Sequence, residues 1–276
     1  MTWELRQLVT FNPVCVTADT PVDQLIDMAY SMDIHHWPVV DGERGIVGMV
    51  SESDMIRSAQ LQMTVGESTS HGPGEYSAEP WRPRLVGEIM SSRAVTIEID
   101  APAQEAIRLL LEHQFHSLPV TENGRLTAIV TTGDFLREYS FGDLPSAQEL
   151  VSKHVVPIAE SVDVSATLDE ALGAMFEQEG KFIAISRGSC PVGVASYREL
   201  ARTRCRETAR QLSAGDQTVC TLRPLIADAL TFRPGTKMAE AASMFAAQKR
   251  EGGLVVNQAN RMVGMLTIQQ ILRAML

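Results

Sequence analysis

The sequence predicts an α/β fold made of one unit written four times. Two observations carry this reading. The stretch "GMVSESDMIR" (48–57) returns in outline as "AIVTTGDFLR" (128–137), "GVASYRELAR" (193–202) and "GMLTIQQILR" (264–273). Each copy also follows an amphipathic helix and a short apolar strand, so the order of element types repeats together with the motif.

Each unit opens on a brief apolar segment, "VCVT", "AVTI", "VDVS" and "ALTF" in turn. A helix follows, read from "PVDQLIDMAYSM", "PAQEAIRLLLEH", "TLDEALGAMFEQ" and "KMAEAASMFAAQ". In the second of these, Ala106, Leu109, Leu110 and His113 fit the i, i+3, i+4, i+7 spacing of one buried face. Met28, Met32, Met175 and Met244 lie at helical positions and read as core filler. Next come the strands "WPVV", "LPVT", "FIAI" and "GLVV". A second apolar strand then ends at a hydroxyl residue, Ser51, Thr131, Ser196 or Thr267, where the last helix begins.

The unit is therefore strand–helix–strand–strand–helix over about 55–60 residues, a size that is marginal alone and buries its faces against a partner. The turn-rich join "SFGDLPSAQELVS" divides the chain into an N-terminal pair, 1–145, and a C-terminal pair, 146–276. The repeats fall at about 1–60, 85–140, 150–208 and 218–276. Residues 61–84, rich in Gly, Ser, Pro and Glu, are expected to form a flexible loop.

The 276 residues carry 45% hydrophobic and 21% charged side chains, ordinary for a globular protein. A net charge of −10 argues against broad binding to nucleic acid or an anionic membrane, whose partners present basic surfaces. Cys15, Cys190, Cys205 and Cys220 form no C-x-x-C pair and match neither a zinc site nor a disulfide framework. With no apolar run near the ~18 residues of a membrane span and no signal-peptide pattern at the start, the expected location is cytoplasmic. No nucleophile–base set, Walker loop, zinc motif or dinucleotide fingerprint is present, so the chain reads as a non-enzyme that requires no cofactor and no metal.

The turn motif has two readings. Ser51 and Asp54 stand at capping-box spacing, in which each side chain satisfies a free backbone N–H of the first helical turn. The same residues offer a hydroxyl, and a carboxylate that only accepts, to a ligand carrying phosphate and a cis-diol. The two readings are compatible.

The blocks "HHWPVVDGERGIVGMVSESDMIR" and "HSLPVTENGRLTAIVTTGDFLR", each behind its helix, resemble the CBS-domain family, whose tandem repeats pair into Bateman modules. The resemblance covers nearly the whole chain as four repeats. It implies two pseudo-twofold CBS pairs, each with two clefts that take adenosine-containing ligands: AMP, ADP, ATP or S-adenosylmethionine. It further implies that the turn hydroxyl meets phosphate, that the acid three residues on takes the ribose, and that the other repeat's first strand completes the cleft.

Carried onto this sequence, the first cleft would use Ser51, Ser53 and Asp54, with Arg93, Val95 and His116 from the second repeat. The second would use Thr131 and Asp134, with Asn12, Val14 and His35 from the first. In the C-terminal pair Ser196 is followed by Glu199 and Thr267 by Gln270, so these are weaker candidates, read as simple N-caps. The histidines read more readily as strand-start residues than as metal ligands. Trp37 could stack on a base or pack between repeats.

The function expected is a non-catalytic sensor of adenine nucleotides acting chiefly through the N-terminal pair, with a homodimer or a regulated protein as its partner. The alternative is a scaffold or interaction subunit with vestigial sites.

Overall fold

The computed structural model describes residues 3–32, 34–55, 58, 85–158, 161–177, 181–200, 202–203, 221–226 and 229–276. The expected loop 61–84, Cys205 and Cys220 lie outside them. The order strand–helix–strand–strand–helix occurs four times, as expected. In the first repeat Val16 bridges Val39 in parallel, ahead of the Val22–Met32 helix, β2 (His36–Val40), β3 (Ile46–Ser51) and a helical turn at 52–55. β4 (Ile97–Glu98), the Ala103–Glu112 helix, β5 (Ser117–Glu122), β6 (Arg125–Thr131) and the Thr132–Ser140 helix form the second.

The third contains β7 (Ser161–Asp163), the Leu168–Glu177 helix, β8 (Phe182–Arg187), β9 (Cys190–Ser196) and helical residues 197–200. The fourth contains β10 (Thr231–Phe232), the Met238–Gln248 helix, β11 (Gly252–Val256), β12 (Met262–Thr267) and the Ile268–Ala274 helix. Within the later repeats the short first strand runs parallel to the second, which pairs antiparallel with the third. The β5–β6 connection is the two-residue Asn123-Gly124 turn, with φ of 55° and 75°. That left-handed pair is the one whose twist matches a tight hairpin.

The described chain forms two compact units. One comprises Met1–Leu8, Pro102–His116 and Thr131–Leu276; the other comprises Val9–Ala101 and Ser117–Val130. In the second unit the core of the first repeat is Leu25, Trp37, Val39, Val50 and Val86, all fully shielded from solvent. Trp37 is therefore packing, not a platform open to a base. In the first unit the third repeat has its own core, centred on Leu168, Ala171, Ile183, Ile185 and Leu200. Val194 of β9 meets Leu254 and Val256 of β11 in a separate cluster that joins the third and fourth repeats.

Two sequence expectations are corrected. The buried stripe of the Ala103–Glu112 helix is Ala103, Ala106, Ile107 and Leu110. Leu109 is half-buried and His113 is exposed, so the i, i+3, i+4, i+7 pattern holds but starts three residues earlier. Met32 ends its helix 53% exposed, whereas Met175 is buried and Met28 and Met244 are half-buried. A position in the last turn of a helix loses its neighbours when the chain departs.

The lead-in segments exchange between paired repeats. β1 (Thr10–Phe11), which precedes the first repeat's own parallel bridge, pairs antiparallel with β6 of the second repeat. Reciprocally, Ser91 ahead of the second repeat exchanges both backbone hydrogen bonds with Met49 of β3, at 2.8 and 3.0 Å. In the other unit Val156 ahead of the third repeat exchanges both with Met265 of β12, at 2.8 and 2.9 Å.

The small residue shared by all four motifs marks this crossing. A Cβ on Gly48 would stand 2.7 Å from Ser91 O, and one on Gly264 would stand 2.5 Å from Val155 Cγ1 and Val156 O. On Gly193 it would stand 3.2 Å from Ala229 Cβ. Ala128, at the same point of β6, faces Phe11.

Candidate functional site

All four turns bond the N–H of the hydroxyl residue to an oxygen three residues on, and in the last three the return bond completes a capping box. In the first, Ser51 donates to Asp54 Oδ2 through its N–H at 2.8 Å and its hydroxyl at 2.6 Å. In the second, Thr131 does the same to Asp134 Oδ2 at 2.8 and 2.7 Å, and Asp134 N–H returns to the Thr131 hydroxyl at 3.4 Å. Ser196 N–H donates to Glu199 Oε2 at 2.8 Å, and Glu199 N–H to Ser196 Oγ at 3.2 Å. Thr267 N–H donates to Gln270 Oε1 at 3.1 Å.

Glu199 and Gln270 thus fill the same capping position as the two aspartates, since any oxygen acceptor three residues on completes the box. An identical box at Thr167 and Glu170 opens the other helix of the third repeat. The hydrogen-bond pattern alone therefore signals a helix start.

What separates the turns is the acid's second oxygen. Oδ1 of Asp54 has no partner among the described residues, and Arg57 lies outside them. Asp134 Oδ1 accepts from Arg137 Nη1 at 3.2 Å, a side chain 68% exposed and free to swing into solvent. Glu199 Oε1 instead accepts from Arg250 Nη1 of the fourth repeat at 2.8 Å, with both side chains under 15% exposed. Arg250 Nη2 is fixed in turn on Leu225 O at 2.7 Å. Among the described residues, Asp54 and Asp134 hold their second oxygen loosely or not at all, whereas that of Glu199 is closed.

The residues expected to complete the clefts are distributed as follows. Ser51, Ser53, Asp54, Arg93 and Val95 share one unit; Ser53 is half-buried, Arg93 exposed and Val95 half-buried. Arg93 and Val95 follow Ser91, whose backbone is bonded to β3 beside Ser51. Thr131, Asp134 and His116 belong to the other unit. Asn12, Val14 and His35 lie in the unit of the first turn; Val14 is 38% exposed and Asn12 takes the left-handed φ of 52° while bonding Thr127 O at 3.0 Å.

The residue just before each repeat's second strand holds the turn through its carbonyl. His35, His116, Lys181 and Glu251 accept from Glu52, Thr132, Tyr197 and Ile268 N–H at 3.0, 2.9, 3.0 and 3.1 Å. Two of these side chains meet. Glu251, 6% exposed, pairs with Arg198 Nη2 and lies 3.6 Å from His116 Nε2. Burial alone would raise its carboxyl, but Arg198, His116, the Ser196 hydroxyl and Arg202 together hold it below the usual carboxylate range. Burial pushes the His116 imidazole below its ordinary value, Glu251 opposing and Arg198 and Lys181 adding to the drop. Burial likewise lowers Lys181, against the pull of Glu251.

Arg198, Arg250 and Glu251 were not singled out in the sequence. A signal was present: the dipeptide Arg-Glu stands at 198–199 in the third turn and again at 250–251 at its structural neighbour. The two dipeptides pair crosswise, Arg198 with Glu251 and Glu199 with Arg250. His35, the equivalent of His116, pairs through Nδ1 with Glu52 Oε2 of its own turn at 3.2 Å. Among the described residues no group of three His, Cys, Asp or Glu side chains is placed to hold a metal.

Comparison with known proteins adds to this geometry. The family profile described as CBS domain matches residues 5–60, 86–140 and 223–276. The chain is similar to the Methanocaldococcus jannaschii protein MJ1404, 27% identical over 137 residues, 49% of this chain and 31% of that protein. It is similar to the chloroplastic CBS domain-containing protein CBSX2 of Arabidopsis thaliana, 26% identical over 136 residues, 44% of this chain and 56% of that one. The matches thus span between about a third and just over half of these relatives' lengths.

CBSX2 has been solved in complex with AMP; that structure covers 49% of this chain and 95% of its own, at 24% identity and a TM-score of 0.39. The crystal structure of MJ1225 from M. jannaschii covers 99% of this chain and 100% of its own at a TM-score of 0.73, with 14% identity. That likeness shows the fold.

Proposed function

The chain belongs to the CBS-domain family, and on that premise we propose that it is a non-catalytic sensor of adenosine-containing ligands acting through its first two turns. The observation that carries this is the second carboxylate oxygen. Asp54 and Asp134 cap their helices with Oδ2, so Oδ1, which in Asp134 meets only the exposed Arg137, is the atom that can turn to the paired hydroxyls of a ribose. Glu199, held on both oxygens, has none to offer.

In the first site Ser51 and Ser53 meet the phosphate at the helix start and Asp54 the ribose, with Arg93 and Val95 of the same unit beside them. In the second Thr131 meets the phosphate and Asp134 the ribose. The AMP held by CBSX2, a relative by sequence, supports the ligand class. AMP, ADP, ATP and S-adenosylmethionine all carry the adenosine this chemistry recognises. A ligand spanning two repeats biases their packing, and a second copy or a regulated protein reads the bias.

Calorimetric titration of each of the four ligands tests this. Binding that weakens in Asp54→Ala and Asp134→Ala is the expected result. A wild-type protein that gives no heat with any of them would refute it. The C-terminal pair fits the scaffold reading better, because its first acid is locked by Arg250 and its second is the amide of Gln270.

A further inference from the structure

Around the third turn the chain supplies its own counterpart to each recognition group. The Glu199 carboxylate receives a donor, the Arg250 guanidinium, where a sugar hydroxyl would donate. Ser196 and Arg198 receive an anion, the Glu251 carboxylate, where a phosphate would lie. Donor and anion are adjacent residues, and they enter from the fourth repeat together. The equivalent positions of the other three repeats carry His35, His116 and Lys181, so an acid at this point occurs only in the copy that faces Arg198.

We propose that the Arg250–Glu251 dipeptide is an internal plug in the third repeat's turn, and that neutralising Glu251 opens an anion site there for inorganic phosphate or a phosphate-bearing ligand. The physical reason is charge balance. Glu251 is buried to 6% exposure against Arg198 and His116. Removing its charge while keeping its shape leaves the half-buried Arg198 guanidinium without this counter-ion, a state relieved by capturing an anion. Arg198 is a suitable receiver, since its planar fork matches a phosphate's oxygens.

The plug also ties the second repeat to the last two, because His116 and Arg198 share one carboxylate. This inference rests on reading the turns as ligand half-sites. The inorganic probe needs no ribose carboxylate, so its failure is distinguishable from failure of nucleotide binding at Asp54 and Asp134.

The experiment is thermal unfolding of Glu251→Gln in sodium phosphate and in sodium chloride of equal ionic strength. Wild type provides the baseline for phosphate held elsewhere. Phosphate is expected to raise the midpoint of Glu251→Gln by several degrees beyond that baseline, and chloride is not. Adding Arg198→Gln should abolish the difference. Should Glu251→Gln fail to fold alone, recovery of its far-UV circular dichroism in phosphate but not in chloride is the expected result. A variant whose folding responds to phosphate no more than wild type does overturns the plug.

Discussion

Arg250 Nη1 and Glu199 Oε1 lie 2.8 Å apart, with side chains 12% and 14% exposed, and the same guanidinium closes on Leu225 O at 2.7 Å. A pair so shielded contributes through what its loss leaves behind. Truncating one partner strands the other charge away from water.

Arg250→Ala should therefore lower unfolding stability by on the order of 3 kcal/mol in urea denaturation. The double variant Arg250→Met/Glu199→Met should lose less than the two single changes added together, because it strands no charge. Strict additivity would show that the two side chains do not interact.

Capping and ligand recognition at the first two turns are separable by chemistry. Asp54→Asn and Asp134→Asn keep an oxygen for the Ser51 and Thr131 N–H groups but lose the second acceptor oxygen and the charge. Stability should change by less than about 1 kcal/mol, the usual worth of a cap. Affinity for an adenine nucleotide should fall roughly tenfold or more, the worth of a hydrogen bond to a charged group. Equal losses in both measurements would mean that the aspartates serve only the helix.

The buried cluster also predicts a pH dependence. His116 titrates from an ordinary 6.5 in the unfolded chain and lower in the folded one, facing Glu251, Arg198 and Lys181. Below 6.5 the unfolded chain binds the extra proton first, so stability present above that value is lost as pH falls. Glu251, held below 4.5, adds a loss of the same sign at lower pH. Calorimetric midpoints should drop between about pH 7.5 and 5.5, and His116→Gln should flatten that part of the curve. An unchanged slope in the variant would remove His116 from the account.

Two glycines should respond to alanine with opposite signs. Gly264→Ala places a Cβ 2.5 Å from Val156 O at the strand crossing and should destabilise, because backbone cannot step aside. Gly173 sits inside the Leu168–Glu177 helix with nothing within 4 Å of the added carbon. Gly173→Ala should stabilise by about 0.5–1 kcal/mol through helix propensity. Chemical denaturation of both variants checks the pair.

Much of this was readable from the chain itself. Repetition located the helices and strands inside each repeat, because periodicity and turn chemistry are local properties, but not the Leu5–Leu8 helix or the β1–β6 pairing outside that pattern. The small residue of each motif was visible as a regularity, but its cause was not. Gly48 is small because Ser91, 43 residues away, passes over it, and no window of sequence contains both. The same limit hid Glu251. Its meaning comes from His116 and Arg198, which are brought to it only by folding. Glu199 and Gln270 were read as departures, although as oxygen acceptors they preserve the box, and only the second oxygen of each acid tells the turns apart.

The exchanged lead-in segments have a consequence for how such a chain can be cut or copied. Thr10 and Phe11 finish a sheet that belongs to the second repeat, and Ser91 returns the favour on β3. A single repeat excised by itself would leave one strand edge bare and carry away a strand with nothing to lie on. The smallest heritable part of this architecture is therefore the pair: insertions, deletions and domain grafts that respect pairs preserve every edge, and those that split one expose two.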